Sequence, residues 1–239
     1  MISPAFFTLH RSLPREGPGE AADVYWALSL AMPPAGAKVL DAACGPGADT
    51  LTLAEALPTA EIDGVEKTDH FVEEARSRTA AHGDRVRIHH ALMQDQRGPF
   101  DLIWCAGAVY FLGVREALEL WRAELAEDGA VAFSEPIWLT GDRPPELQRF
   151  WEVYAAMTDT EGVEAHIRSA GYRVVGKRVL SDRAWENYYT PMDARIAALR
   201  EAPVSPALAD VLADGEEEAM MWRQHRRDFG YCLFVVRPE

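Results

Sequence analysis

The sequence predicts an α/β protein in which a parallel sheet is covered by helices on both faces. From Lys38 onward, short runs rich in β-branched and aromatic residues alternate with longer segments of helical periodicity. The first such run, "KVLDAACGPGADT", ends in two glycines one residue apart just before a helical pattern opens. A chain of 239 residues buries one substantial core. The expectation is therefore a single domain over residues 1–239, with insertions.

Taken in order, "KVLDAA" is the first strand and "DTLTLAEAL" a helix stopped by Pro58; "EIDGVE" is the second strand and "DHFVEEARSRTAAHG" a helix that Gly83 ends. "RVRIHH" is the third strand and "FDLIWCAGA" the fourth. "VREALELWRAELAEDG" has apolar residues at helical spacing, and "AVAFSEPIW" is the fifth strand. A helix is expected over 145–157, opening on Pro144 and Pro145, and another ending at "IRSAGY". "YRVVGKRVL" and "FGYCLFVVR" are the last two strands. Residues 181–228 between them far exceed a hairpin loop, so they need structure of their own. "MDARIAALR" and "PALADVLADGEEEAMMWRQHRRD" are helical in pattern, with charges that suit a solvated face.

Composition excludes several classes. Hydrophobic residues make up 48% and charged residues 26%, and no apolar run reaches the roughly 18 residues of a membrane span. No membrane association is expected. The first twenty residues lack a basic start, and their apolar stretch breaks at His10 and Arg11, unlike a signal peptide. A cytoplasmic location is the expectation. A formal charge of -14 repels phosphodiester backbones, so no nucleic acid partner is expected. Cys44, Cys105 and Cys232 are too few and too strand-embedded for a disulfide framework. His89 and His90 are adjacent, so a strand points them to opposite faces, and no metal site is predicted.

The glycine turn brings backbone N–H groups and a helix N-terminus close to a ligand. Glu66, about 20 residues further on at the end of the second strand, is placed to accept both hydroxyls of an adenosine ribose. Thr50 stands where a dinucleotide turn has its third glycine, and Asp41 and Asp49 make the surroundings acidic where a pyrophosphate would sit. A cofactor with a positive centre fits better.

"VLDAACGPG", "GVEKTDHFVEEA" and "FDLIWCAGAVYFL", in that order and spacing, resemble the first, second and fourth motifs of class I S-adenosylmethionine-dependent methyltransferases. The resemblance covers residues 35–136. It implies a Rossmann-like, doubly wound sheet of seven strands with the last strand antiparallel, and residues 181–228 then stand as a helical insertion before that strand. On this plan residues 1–34 form an N-terminal lid, 35–180 the core, 181–228 a helical cap and 229–239 the final strand. The implied cofactor is S-adenosylmethionine, with S-adenosylhomocysteine as product. Position by position, the resemblance places Ala43, Cys44, Gly45 and Gly47 along its methionine portion and Glu66 on the ribose. It places Lys67, Met93 and Gln94 around adenine, Ala106 at the amino group, and Asp41 behind the turn.

Methyl transfer from a sulfonium gains most from alignment and exclusion of water, so a catalytic base is optional. Tyr110, beyond the fourth strand, and Glu135, at the end of the fifth, are the candidate catalytic groups. Trp138, Trp185, Tyr188 and Tyr189 are aromatics suited to a cationic donor or an acceptor pocket, with core packing as the alternative for each. His10 and Arg11 belong to the N-terminal segment that would close over the site; a surface loop is the alternative. The expected partner is a small-molecule acceptor, and a homodimer is left open. Two rival functions stay open as well: a nicotinamide-dinucleotide oxidoreductase, with Lys67 receiving a 2′-phosphate, and a non-catalytic S-adenosylmethionine-binding protein.

Overall fold

The structure is a computed structural model that describes residues 3–239; the first two positions of the N-terminal segment lie outside the described residues. Strands β1 (Lys38–Ala42), β2 (Glu61–Glu66), β3 (Val86–His90), β4 (Phe100–Cys105), β5 (Leu125–Trp138), β6 (Thr158–Asp159), β7 (Tyr172–Val179) and β8 (Phe229–Pro238) form one sheet. The spatial order is β3-β2-β1-β4-β5-β8-β7, and the two-residue β6 pairs with the end of β5. β1 to β5 run parallel, while β8 lies antiparallel between β5 and β7. This is the expected seven-stranded sheet with one short strand added.

Successive strand residues point to opposite faces, and the core divides accordingly. Val39, Leu102 and Trp104 pack on one face, beneath α2 (Ala21–Ala31), α3 (Ala48–Ala56) and α4 (Asp69–Thr79). Leu40, Ile103 and Cys105 pack on the other, beneath α5 (Val114–Trp121) and α7 (Thr160–Ser169). α6 is the single short helix Pro145–Phe150, continued by a 3-10 turn to Tyr154, so the helix expected over 145–157 is shorter and tighter.

Three further helices form a layer of their own: α1 (Pro4–His10), α8 (Asp182–Leu199) and α9 (Pro206–His225). The segment expected to become helical only from Met192 is one helix from Asp182, continuous through Pro191. An interior proline costs a helix about 3 kcal/mol. Here Trp185, Tyr188, Tyr189, Met192 and Ile196, spaced at three and four residues, form one buried stripe that offsets it. Gly215 of α9 lets the three helices meet, since a Cβ there would stand 3.2 Å from both Leu9 and Met192 and 3.4 Å from Ile196.

Candidate functional site

A cavity of about 640 Å³ opens between the carboxyl ends of the strands and the helical layer above them. Its floor is where strand order reverses, with β1 flanked by β2 on one side and β4 on the other. Open α/β sheets bind ligands at such a switch point. Its roof comes from α1, the loop after it, α8 and α9. That loop is tied to both layers. Ser12 N donates to Glu74 on α4, Arg78 donates to Pro14 O, Gly19 N donates to Ala184 O, and Asn187 donates to Gly19 O.

The glycine turn has a backbone that side chains disfavour. Ala43, Gly45 and Gly47 all have positive φ, at 61°, 53° and 84°. The two glycines serve different ends. A Cβ on Gly45 would meet only Glu16, at 3.9 Å across the cavity. A Cβ on Gly47 would lie 3.0 Å from the Ala75 backbone of α4, and Gly47 caps α3 instead of lining the cavity.

Glu66 leaves β2 with its carboxylate held on both oxygens, accepting from Gly45 N at 3.2 Å and Thr68 N at 2.8 Å. These bonds fix its aim beside the turn. Asp41 is buried and accepts the Thr50 hydroxyl at 2.6 Å. The residue in place of a third glycine therefore braces the turn. Burial pushes Asp41 up to about 7. Asp49 accepts from Trp104 Nε1 at 3.2 Å and from Arg15 at 3.1 Å, which draws Arg15 of the loop down onto the turn.

At the roof end, His10 stacks on Phe6 with ring centroids 3.8 Å apart, and its Nδ1 lies 2.6 Å from Glu16 Oε2. Glu218 of α9 accepts from the Tyr189 hydroxyl at 3.1 Å. Burial raises the carboxyls of Glu16 and Glu218 above the ordinary range. Tyr110 and Tyr188 line the same space, and burial pushes Tyr110 up to about 12.

Of the residues singled out from sequence, Asp41, Ala43, Cys44, Gly45, Glu66, Lys67, Met93, Gln94, Ala106, Tyr110, His10 and Tyr188 all line this one cavity. Six do not. Gly47 packs against α4, as described. Glu135 is 1% exposed behind the cavity wall; its Oε1 accepts the Tyr154 hydroxyl at 2.5 Å, its Oε2 has no partner, and burial pushes it up to about 8. Trp138 donates to Met157 O and lies under the Arg143 guanidinium. Trp185 and Tyr189 belong to an aromatic stack with Trp222, Trp185 lying 5.1 Å from Trp222 at 10°. Arg11 borders a separate shallow depression with Phe7 and His70.

Sequence reasoning did not single out Arg15, Glu16, Phe111, Asp214 or Glu218 as site residues, yet all line the cavity. Phe111 lies under the Lys67 ammonium, 4.8 Å from the ring centre. Only the proximity of "HRSLPREGPGE" to the turn, which the fold creates, marks Arg15 and Glu16. Glu218 is one of three consecutive glutamates that looked like a solvated face. Among the described residues there is no group of three or more His, Cys, Asp or Glu side chains placed to hold a metal ion.

Residues 39–129 match a family described as "Methyltransferase domain". No curated protein matches the chain by sequence. Among solved structures, the chain superposes on an S-adenosylmethionine-dependent methyltransferase from Geobacter sulfurreducens, solved with S-adenosylhomocysteine. The TM-score is 0.87 and the identity 20%, covering 100% of this chain and 99% of that one. A second, from Thiobacillus denitrificans in complex with the same molecule, gives a TM-score of 0.85 at 21% identity over 100% and 99% of the chains. The protein YjhP from E. coli gives 0.86 at 20% over 99% and 100%. The chain thus has the fold of these S-adenosylmethionine-dependent methyltransferases, and the matched methyltransferase domain covers its residues 39–129.

Proposed function

We propose that the protein transfers a methyl group from S-adenosylmethionine to a small molecule enclosed between the glycine turn and the helical roof. The observation that carries this reading is the single cavity running from Gly45 and Glu66 at the sheet to Tyr188 and Glu218 at the roof. About 640 Å³ is within the range of small-molecule sites. Such a volume suits a donor and a compact acceptor, and a bulky polymer end suits it poorly.

The residues present fit the donor. Space beside Gly45 is open, the Glu66 carboxylate is oriented by two backbone donors, and Ala43 and Ala106 are small where close approach is needed. Met93, Gln94 and Phe111 would border adenine, with the Lys67 stem alongside. Arg15 would face the donor's carboxylate. Bound there, S-adenosylmethionine supplies a methyl group made electrophilic by its sulfonium. The chain's part is to align and to exclude water, and the loop from His10 to Gly19, tied to α4 and α8, would cover the turn end of the cavity. Tyr110, beyond β4, would orient the acceptor. Three free cysteines, two of them buried, suit a reducing compartment, which favours the cytoplasm.

The test is transfer of label from methyl-tritiated S-adenosylmethionine to small molecules of a cell extract. Labelled products should appear with the wild-type protein and fall at least tenfold with Glu66→Ala. Tight donor binding with no labelled product would instead favour a non-catalytic carrier.

A further inference from the structure

We propose that the acceptor carries a basic amino group, received at the roof end of the cavity by the Glu218 carboxylate and the Tyr188 hydroxyl. The inference rests on the donor reading above, because it concerns the part of the same cavity that the donor would leave free.

Charge divides the cavity into two ends. Six carboxylates line it, against two permanent cations, Arg15 and Lys67. Both cations belong to the turn end. Arg15 donates to Gly17 O at 2.6 Å and to Asp49, and the Lys67 ammonium sits over Phe111. Arg15 is on the roof loop but is turned down to Asp49, and among the described residues no lysine or arginine lines the cavity from α1, α8 or α9, where Glu218 and Asp214 project from α9. Asp214 is at the exposed mouth and Glu218 deeper in, so a cation entering would pass one carboxylate to reach the other.

Tyr188 supplies an independent observation. It is only 7% exposed and lines the cavity, yet its hydroxyl makes no hydrogen bond within the described residues, whereas neighbouring Tyr189 donates to Glu218. A side chain packed to this extent whose unpartnered hydroxyl opens onto the cavity leaves that hydroxyl free for a ligand. It can accept from an ammonium, and the Tyr110 and Tyr188 rings add faces that attract cations. An acidic acceptor would meet Glu16, Asp214 and Glu218 at this end, against a single histidine, His10, that is already paired with Glu16, and like-charge repulsion opposes it.

The arrangement also accounts for the proton. An ammonium must lose one proton before its nitrogen lone pair is free, and Glu218, raised above the ordinary carboxyl range by burial, is placed to take it. The nitrogen then forms the new bond to the methyl carbon as the carbon–sulfur bond breaks, its electron pair staying on sulfur. The proton leaves Glu218 by way of the open mouth.

The test uses the protein saturated with S-adenosylhomocysteine and two probes of matched shape, benzylammonium and benzoate, followed by chemical-shift perturbation at millimolar concentration. Benzylammonium should bind saturably and benzoate should not. Glu218→Gln should weaken benzylammonium at least tenfold, and Tyr188→Phe severalfold, with the thermal midpoint and S-adenosylhomocysteine affinity of each variant showing that it is folded. Tyr188→Phe keeps the test decisive should Glu218→Gln fail to fold. Binding of benzoate as tight as benzylammonium, no binding of benzylammonium, or indifference of a folded variant overturns the proposal. Failure of S-adenosylhomocysteine itself to bind would count against the donor reading, and the probe preference of the unloaded protein would still be measured.

Discussion

Gly45 and Gly47 are two residues apart and share a left-handed backbone, yet they answer to different constraints. Gly47 is confined by the Ala75 backbone, so Gly47→Ala combines φ strain with a clash and should cost about 2 kcal/mol or more in urea unfolding. Gly45→Ala should cost about 1–2 kcal/mol, from the left-handed backbone alone, since nothing in the protein crowds that position. Its effect should instead appear as weaker S-adenosylhomocysteine binding by calorimetry. The spacing of the glycines and of Glu66 was legible because a turn that approaches a ligand needs those residue types in that order. Which glycine faces the cavity was not legible, because the answer lies in α4, about thirty residues away. Glu135 shows the same limit. Its place at a strand end was readable, but its partner Tyr154 and its burial were set by packing after β5.

Among the elements, α8 departs furthest from what local rules indicate. A proline inside "AWENYYTPMDARIAALR" suggests a break, but the stripe from Trp185 to Ile196 binds the helix to the core on both sides of Pro191. Trp185 is accordingly a packing residue. Trp185→Ala should destabilise the protein by about 3–5 kcal/mol in denaturant unfolding, through loss of the stack with Trp222, Tyr189, Phe229 and Tyr231. Trp185→Phe should leave the rate of label transfer to an acceptor within about twofold, a separation that an acceptor-contacting residue would not show. α1 and α2 were not marked as helices for a related reason. α1 has seven residues, and α2 has apolar side chains on most sides, so neither offers a clean apolar stripe. α2 is fixed by capping, Glu20 N donating to Asp23 at 3.0 Å, and by the Arg178–Asp23 pair.

For the whole molecule, the buried acids set a pH dependence. Asp41 and Glu135 hold their protons to about 7 and about 8 in the folded state, against 3.8 and 4.5 as ordinary values. Between those limits the folded chain binds more protons than the unfolded chain, so these two groups make stability fall as pH rises from about 5 to about 8. Glu135→Gln should remove part of that fall and raise stability at pH 8 by about 2–4 kcal/mol, measured as thermal midpoint against pH. A wild-type midpoint that rises from pH 5 to pH 8, with no change on substitution, would contradict the burial described.

The sheet order was legible at this scale because parallel strands separated by helices leave few arrangements. The roof was not, because its helices meet through Leu9, Met192, Ile196 and Gly215, which come from three distant segments. The central claim is that the cavity between sheet and roof is a site for S-adenosylmethionine. Isothermal calorimetry with S-adenosylhomocysteine and with NADPH tests it most directly. One molecule of S-adenosylhomocysteine should bind per chain, at least tenfold more weakly in Glu66→Ala, with no heat from NADPH; tight NADPH binding without S-adenosylhomocysteine binding would contradict it.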